Sequence, residues 1–303
     1  MLRIVSSIVL LLVFAACQPT ESPREVSAEN ESVSWASTQD ASTMLFSVDG
    51  LSGPEAVRYD PDQDVYFVSN FNGSPSGDAN GFISRVSAEG ELETLEYMVG
   101  TEDHPLHGPR GMFIVDDVLW AADADGLHGF NRLSGAHESF IDFTSFEPGF
   151  LNDISQAPNG ALYITDTGQG RVYRLMEGEV TIAIEDTLIG NPNGITWDAD
   201  NERFVLAPWN GTQSFQSFMP GSTELTSVGM SEAGNFDGIE IVGGVPLIAS
   251  QMDSTLRIIE NGEGRPYIHL PGRPADIGID TQRSRVAVPY VDLDRVDVWE
   301  IPE

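Results

Sequence analysis

The chain has 303 residues, 41% of them hydrophobic, and sets 47 acidic residues against 15 basic ones, all arginine, for a net charge of −32. An excess of that sign repels phosphate backbones and excludes a nucleic-acid partner, while the apolar share excludes a wholly disordered chain. Two domains fit the length, but one large β-architecture absorbs about 250 residues. A carboxylate-rich surface without lysine suits either simple solubility or a salty habitat, where a Debye length of about 3 Å at 1 M salt damps self-repulsion.

Residues 1–16 place Arg3 ahead of an apolar run over 8–16, with small residues leading to Cys17. That is the layout of a signal peptide, and the run falls short of the about 20 apolar residues a permanent span needs. The stretch Val13-Phe14-Ala15-Ala16-Cys17 resembles a bacterial lipobox, which implies that Cys17, the single cysteine, is lipidated and heads the mature protein. With Gln18 next, the resemblance implies an outer-membrane lipoprotein facing the periplasm or the cell surface, held to the membrane by its lipid alone. Residues 17–42 are rich in Ser, Thr and Glu and read as a flexible tether, leaving residues 43–303 as the folded domain.

Within that domain six short segments recur: GPEAV, GPRGM, FLNDI, NPNGI, NFDGI and RPADI, anchored on Val57, Met112, Ile154, Ile195, Ile239 and Ile277. The anchors lie roughly 38 to 44 residues apart after a longer first gap of roughly 55. A second β-rich run follows each anchor (VYFVSN, VLWAAD, ALYITD, RFVLAP, VPLIAS, RVAVPY), then a third, with Gly, Asn, Asp and Pro between them. Such units predict an all-β fold, a six-bladed β-propeller of four-stranded blades, whose closed ring leaves few free edges. The chain ends after VDVWEI, one strand short, and MLFSV at the start of the domain is expected to supply that strand and close the ring.

In a propeller, residues at one phase of the first strands point at a common channel. Two places before each anchor stand Glu55, Arg110, Asn152, Asn193, Asp237 and Ala275. Two carboxylates and two carboxamides suit a hard cation, since Ca²⁺ takes 6–8 oxygens at about 2.3–2.6 Å, and the absence of Cys and His at this phase disfavours a soft metal. Hydrogen bonding to water and to one another is the alternative reading of the same four residues. Arg110 is expected to clamp an anionic group of a substrate or to pair with Glu55 or Asp237.

The ordered set GPEAV, FLNDI, NPNGI and FDGIE resembles the senescence marker protein/gluconolactonase family, also called regucalcin-like, over all six units. The resemblance implies that Glu55, Asn152, Asn193 and Asp237 hold a catalytic divalent ion, commonly Ca²⁺, and that Asp237 also serves as general base. It implies hydrolysis of a lactone or related ester, and Asn152 is expected to meet the substrate as well, beside Arg110. A non-catalytic propeller binding a ligand or protein at the cell surface is the alternative, because fold does not fix function.

Asp153 and Asp276, one place nearer the anchors, are expected to cap backbone or to bind a second ion. Residues 60–64 and 198–202, although acidic, read as hairpin turns on the face opposite the site. His104 and His107 read as a loop at the start of the second unit, and residues 69–81 as a rim or lid. No GxSxG elbow is present, which disfavours a serine hydrolase.

Overall fold

The alternation of branched or aromatic runs with turn residues produces strands almost throughout. A computed structural model describes Trp35 and residues 43–75, 78–210 and 214–302. Cys17, the expected signal peptide and most of the expected tether lie outside the described residues. The first strands are β1 (Met44–Asp49), β2 (Pro54–Asp60), β3 (Val65–Asn70), β4 (Phe82–Ser87) and β5 (Leu92–Val99). The second unit holds β6 (Met112–Val115), β7 (Val118–Ala122), β8 (Gly126–Asn131) and β9 (His137–Asp142). The third holds β10 (Leu151–Gln156), β11 (Leu162–Asp166), β12 (Arg171–Met176) and β13 (Glu179–Glu185). Next come β14 (Pro192–Asp198), β15 (Arg203–Pro208), β16 (Ser214–Phe218) and β17 (Thr226–Met230), then β18 (Phe236–Val242), β19 (Val245–Ser250), β20 (Thr255–Glu260) and β21 (Glu263–His269). The chain closes with β22 (Gly278–Asp280), β23 (Arg285–Tyr290) and β24 (Arg295–Glu300). Three short 3₁₀ turns are the only helical elements among the described residues.

The fold is all-β and propeller-like. Each unit is an antiparallel meander, and burial falls from its first strand to its last: β2 is buried almost throughout, whereas β5 is mostly exposed. The last sheet runs β1-β24-β23-β22, so Met44–Asp49 does supply the missing outer strand, pairing Phe46 with Val298 and Val48 with Val296. Sealing the ends of the chain into one sheet removes two free edges.

Hydrogen bonding yields five sheets where six are expected. Four have four strands; the fifth has eight, two meanders joined edge to edge by the single parallel bridge Met230 to Glu263. Gly229 explains the junction. A Cβ there would sit 2.8 Å from the Gly262 carbonyl oxygen, and without one the edges approach until the Met230 N–H donates to that same oxygen at 3.0 Å.

Trp35 lies in the segment expected to be a tether, yet it is buried, edge-on to Tyr267 at 4.9 Å, with its carbonyl accepting from Arg265 at 2.6 Å. The acidic turns take their expected places: Asp60 accepts from the Gln63 N–H and from Arg132, and Asp198 accepts from Asn201 and Arg203.

A candidate metal centre at the channel mouth

The inner strands are built alike near their starts. Their pairing with the second strand slips in register between Pro54 and Ala56, Leu151 and Ile154, Pro192 and Ile195, and Phe236 and Ile239. Each slip is a β-bulge, which re-aims a side chain out of the regular alternation. The residues within the four bulges include Glu55, Asn152, Asn193 and Asp237. Backbone N–H groups released by the slip find hydroxyls on the next strand: Ala56 donates to Ser69 Oγ and Asp153 to Thr165 Oγ1, both at 2.9 Å.

Neighbouring inner strands can pack closely because small residues follow the bulge position. A Cβ on Gly194 would lie 2.4 Å from the Asp237 carbonyl oxygen, and one on Gly111 would lie 2.6 Å from the Asp153 Cα. The strands therefore bond directly: Gly111 N–H donates to the Asn152 carbonyl at 3.0 Å and Asp276 N–H to the Glu55 carbonyl at 2.9 Å.

The result is a cavity of about 490 Å³ that Glu55, Asn152, Asn193, Asp237 and Ala275 all line. Its wall also carries Phe71, Pro75, Phe150, Trp209 and Val291, with Thr167, Asn191, Asn210 and Gln251 adding polar groups. All four candidate ligands are buried. Glu55 Oε2, Asn152 Oδ1, Asn193 Oδ1 and Asp237 Oδ1 each lack a hydrogen-bond partner. A buried polar atom left unpaired costs about 1–3 kcal/mol, more when charged, so four in one cavity mark a place that ordered water or a cation would satisfy.

Electrostatics point the same way. Burial, then the Asp237 charge, pushes the Glu55 carboxyl well above its usual range. Burial likewise lifts Asp237 to about 7, against the hydrogen bond from Gln251 Nε2 to its Oδ2 at 2.7 Å. Asp153 is raised to about 7 by burial, and Asp276 is pushed well up by burial and then by Asp153. Glu55 and Asp237 line the cavity, with Asp153 and Asp276 buried nearby, and a divalent ion between the first two would restore their ordinary acidity. The donor set, all oxygen and carrying two negative charges, fits Ca²⁺ or a similar hard cation.

Arg110 is held chiefly by backbone carbonyls. It is buried at the bulge phase, but its Nη1 donates to the Leu151 carbonyl at 3.2 Å and its Nη2 to the Pro75 carbonyl, while its guanidinium lies 3.7 Å over the Phe150 ring. Those bonds tie Pro75 and Phe150 into the cavity wall, and Arg110 itself does not line the cavity. Nor does it form an ion pair with Glu55 or Asp237 among the described residues. Asp153 caps backbone as expected, accepting from Ile154 at 2.7 Å and Ile195 at 2.8 Å. Asp276 Oδ2 is left without a partner.

Sequence reasoning did not find Gln251 or the aromatic wall. Gln251 comes directly after the VPLIAS run of its unit, at the strand-end position that Trp209 and Val291 occupy in theirs. Trp209 comes just after the RFVLAP run, in the position where the sixth unit has Val291, and an alignment of strand ends would have drawn attention to both.

No protein-family model matches the chain, and no curated protein sequence does. Solved structures do. A gluconolactonase from Xanthomonas campestris superposes with a TM-score of 0.67 at 15% identity, covering 86% of this chain and 89% of that one. The calcium-binding protein regucalcin from Agrobacterium tumefaciens gives 0.64 at 16% identity, covering 86% and 93%. Virginiamycin B lyase from Staphylococcus aureus gives 0.60 at 14%, covering 86% and 99%. At these identities the likeness establishes the fold, a propeller-like architecture with gluconolactonases and regucalcin-like proteins among its structural neighbours.

Proposed function

We propose that this protein is a six-bladed propeller hydrolase that uses a divalent metal ion, Ca²⁺ or a close substitute, to open a lactone or related ester at the channel mouth. The two meanders of the eight-stranded sheet count as two blades of the ring. One observation carries the reading: four buried, unpartnered oxygen atoms from four different inner strands line a single cavity. Neighbours described as a gluconolactonase and as a calcium-binding protein agree with that chemistry.

Glu55, Asn152, Asn193 and Asp237 would hold the ion. When bound, it supplies Lewis-acid polarisation of a carbonyl and acidifies a water. The chain's own groups do the rest. Gln251 fixes one oxygen of Asp237 and leaves the other free, which suits Asp237 to accept a proton from a water in the cavity. Phe71, Phe150 and Trp209 form an apolar wall that seats the non-reacting part of a substrate and excludes water. Asn152 presents its amide to the cavity, where its nitrogen, also unpartnered, can donate to a substrate oxygen. We further propose anchoring to the outer membrane through a lipid on Cys17.

Calorimetric titration with Ca²⁺, run beside a panel of lactones and aryl esters, tests the reading. Saturable binding with Ca²⁺-dependent hydrolysis, both lost in Asp237→Asn, is the expected result. Binding without hydrolysis leaves a surface-binding propeller with a structural ion, and no binding removes the metal centre altogether.

A further inference from the structure

Four of the five histidines gather on or beside the second sheet, away from the four bulges, His104 among them stacked on Phe140 at 4.6 Å. Asp123 and Asp125 lie in the turn between β7 and β8, His128 is on β8, His137 on β9, and His107 in the loop before β6. The ligand-type atoms of Asp123, Asp125 and His128 all lie within 4.8 Å of one another. His128 is fully buried, and its Nε2 stands 3.4 Å from Asp123 Oδ2 and 3.9 Å from Asp125 Oδ1. Neither Nε2 nor Asp125 Oδ1 has a hydrogen-bond partner.

These gaps are too long for strong hydrogen bonds. The shorter gap matches the edge of a tetrahedron around zinc, where ligands about 2.0–2.1 Å from the ion stand about 3.3 Å apart, and the longer one must close on binding. The other ring nitrogen of His128 faces His137 Nε2 at 3.1 Å. His128 Nδ1–H donating there would leave Nε2 to a metal ion, in place of the proton that Asp123 and Asp125 favour on the ring in the metal-free chain. Asp123 is itself fixed, since its carboxylate accepts the N–H groups of His107 at 2.6 Å and Gly108 at 2.7 Å. His107 Nε2, 3.9 Å from Asp125 Oδ2, stands beside the remaining position, and both residues are partly exposed, giving an entry path.

The geometry points to a second metal site, formed by Asp123, Asp125 and His128 with His107 at its open side, that takes a zinc-like transition metal rather than calcium. Imidazole selects Zn²⁺ and its neighbours over Ca²⁺, whereas the channel mouth offers oxygen alone. This site is independent of the proposed hydrolase reading.

The test uses the full chain, stripped by chelator and then saturated with Ca²⁺ to fill the channel mouth. Zn²⁺ titration by calorimetry should show one equivalent, and Co²⁺ in its place should give the visible absorption of a tetrahedral ion. His128→Gln should weaken Zn²⁺ binding by at least about 100-fold and His137→Phe by about 10-fold, as outer-shell losses do. Asp125→Asn, at a partly exposed position, should cost at least about 10-fold even if the His128 variant does not fold. Asp237→Asn should leave Zn²⁺ affinity unchanged. The inference is overturned by absence of Zn²⁺ binding, by unchanged affinity in Asp125→Asn, or by loss of the Zn²⁺ equivalent in Asp237→Asn.

Discussion

Gln251 donates to Asp237 Oδ2 at 2.7 Å while Asp237 Oδ1 remains buried and unpartnered. The two oxygens of one carboxylate thus have different tasks, one held by the scaffold and one offered to the cavity. In Gln251→Leu the carboxylate loses its orientation but keeps its charge. Ca²⁺ affinity should fall by about 10–100-fold, the usual cost of an outer-shell partner, without loss of fold. Calorimetry together with circular dichroism reads both.

Removal of a proposed ligand should act with opposite signs on binding and on stability. Glu55→Gln keeps the side chain's shape and deletes a buried negative charge. Ca²⁺ affinity should drop by more than the about 10–100-fold of an outer-shell change. In the metal-free state the variant should melt at the same or a higher temperature than wild type above neutral pH, because the Asp237 and Asp276 charges lose a repulsive neighbour. A clear fall in the metal-free melting temperature would show that the attraction between Glu55 and the buried Arg110 outweighs that repulsion.

The raised carboxyls also set a pH dependence. Asp153 and Asp237, both lifted to about 7 by burial, bind protons more tightly in the folded chain than in the unfolded one. Between about pH 4 and about pH 7 the folded state therefore holds more protons, and stability falls as pH rises through that window. Thermal melts of chelated protein should show this decline, and saturating Ca²⁺ should flatten it.

Gly194 lies between Asn193 and the anchor Ile195, with the Asp237 carbonyl 2.4 Å from where a Cβ would be. Gly194→Ala must push β14 from β18. Overpacking of this kind costs about 1–3 kcal/mol, and the displacement separates Asn193 from Asp237. Denaturant unfolding should show the loss, and Ca²⁺ affinity should fall with it.

If Cys17 carries the proposed lipid, Cys17→Ser should move the protein from the membrane fraction to the soluble periplasmic fraction without altering the melting temperature of the domain. Fractionation of the native host, or of a Gram-negative expression host, reads the outcome.

The repeated segments made the β-architecture, the N-terminal closing strand and the four oxygen donors legible, because a fold built from one unit repeats its pattern in sequence. Two turns away, nothing in His107, Asp123, Asp125, His128 and His137 repeats in the other units, and their spacing does not show that the loop before β6 folds over the β7–β8 turn. Arg110 was legible in place but not in role. Its phase is that of a ligand, yet a guanidinium's partners are chosen by whichever carbonyls the neighbouring loop and strand bring within reach, here those of Pro75 and Leu151.

The sequence by itself determined where strands begin and end, which residue of each unit stands at the channel phase, and the acidic surface. All three follow from local alternation and composition, which act over a few residues. Only the tertiary structure decided that Glu55, Asn152, Asn193 and Asp237 face one cavity without partners, that Gln251 steadies one of them, and that two meanders merge through Met230 and Glu263. Those outcomes depend on the bulges and on the closeness of strands that glycine permits, distances set by packing between units far apart in the chain.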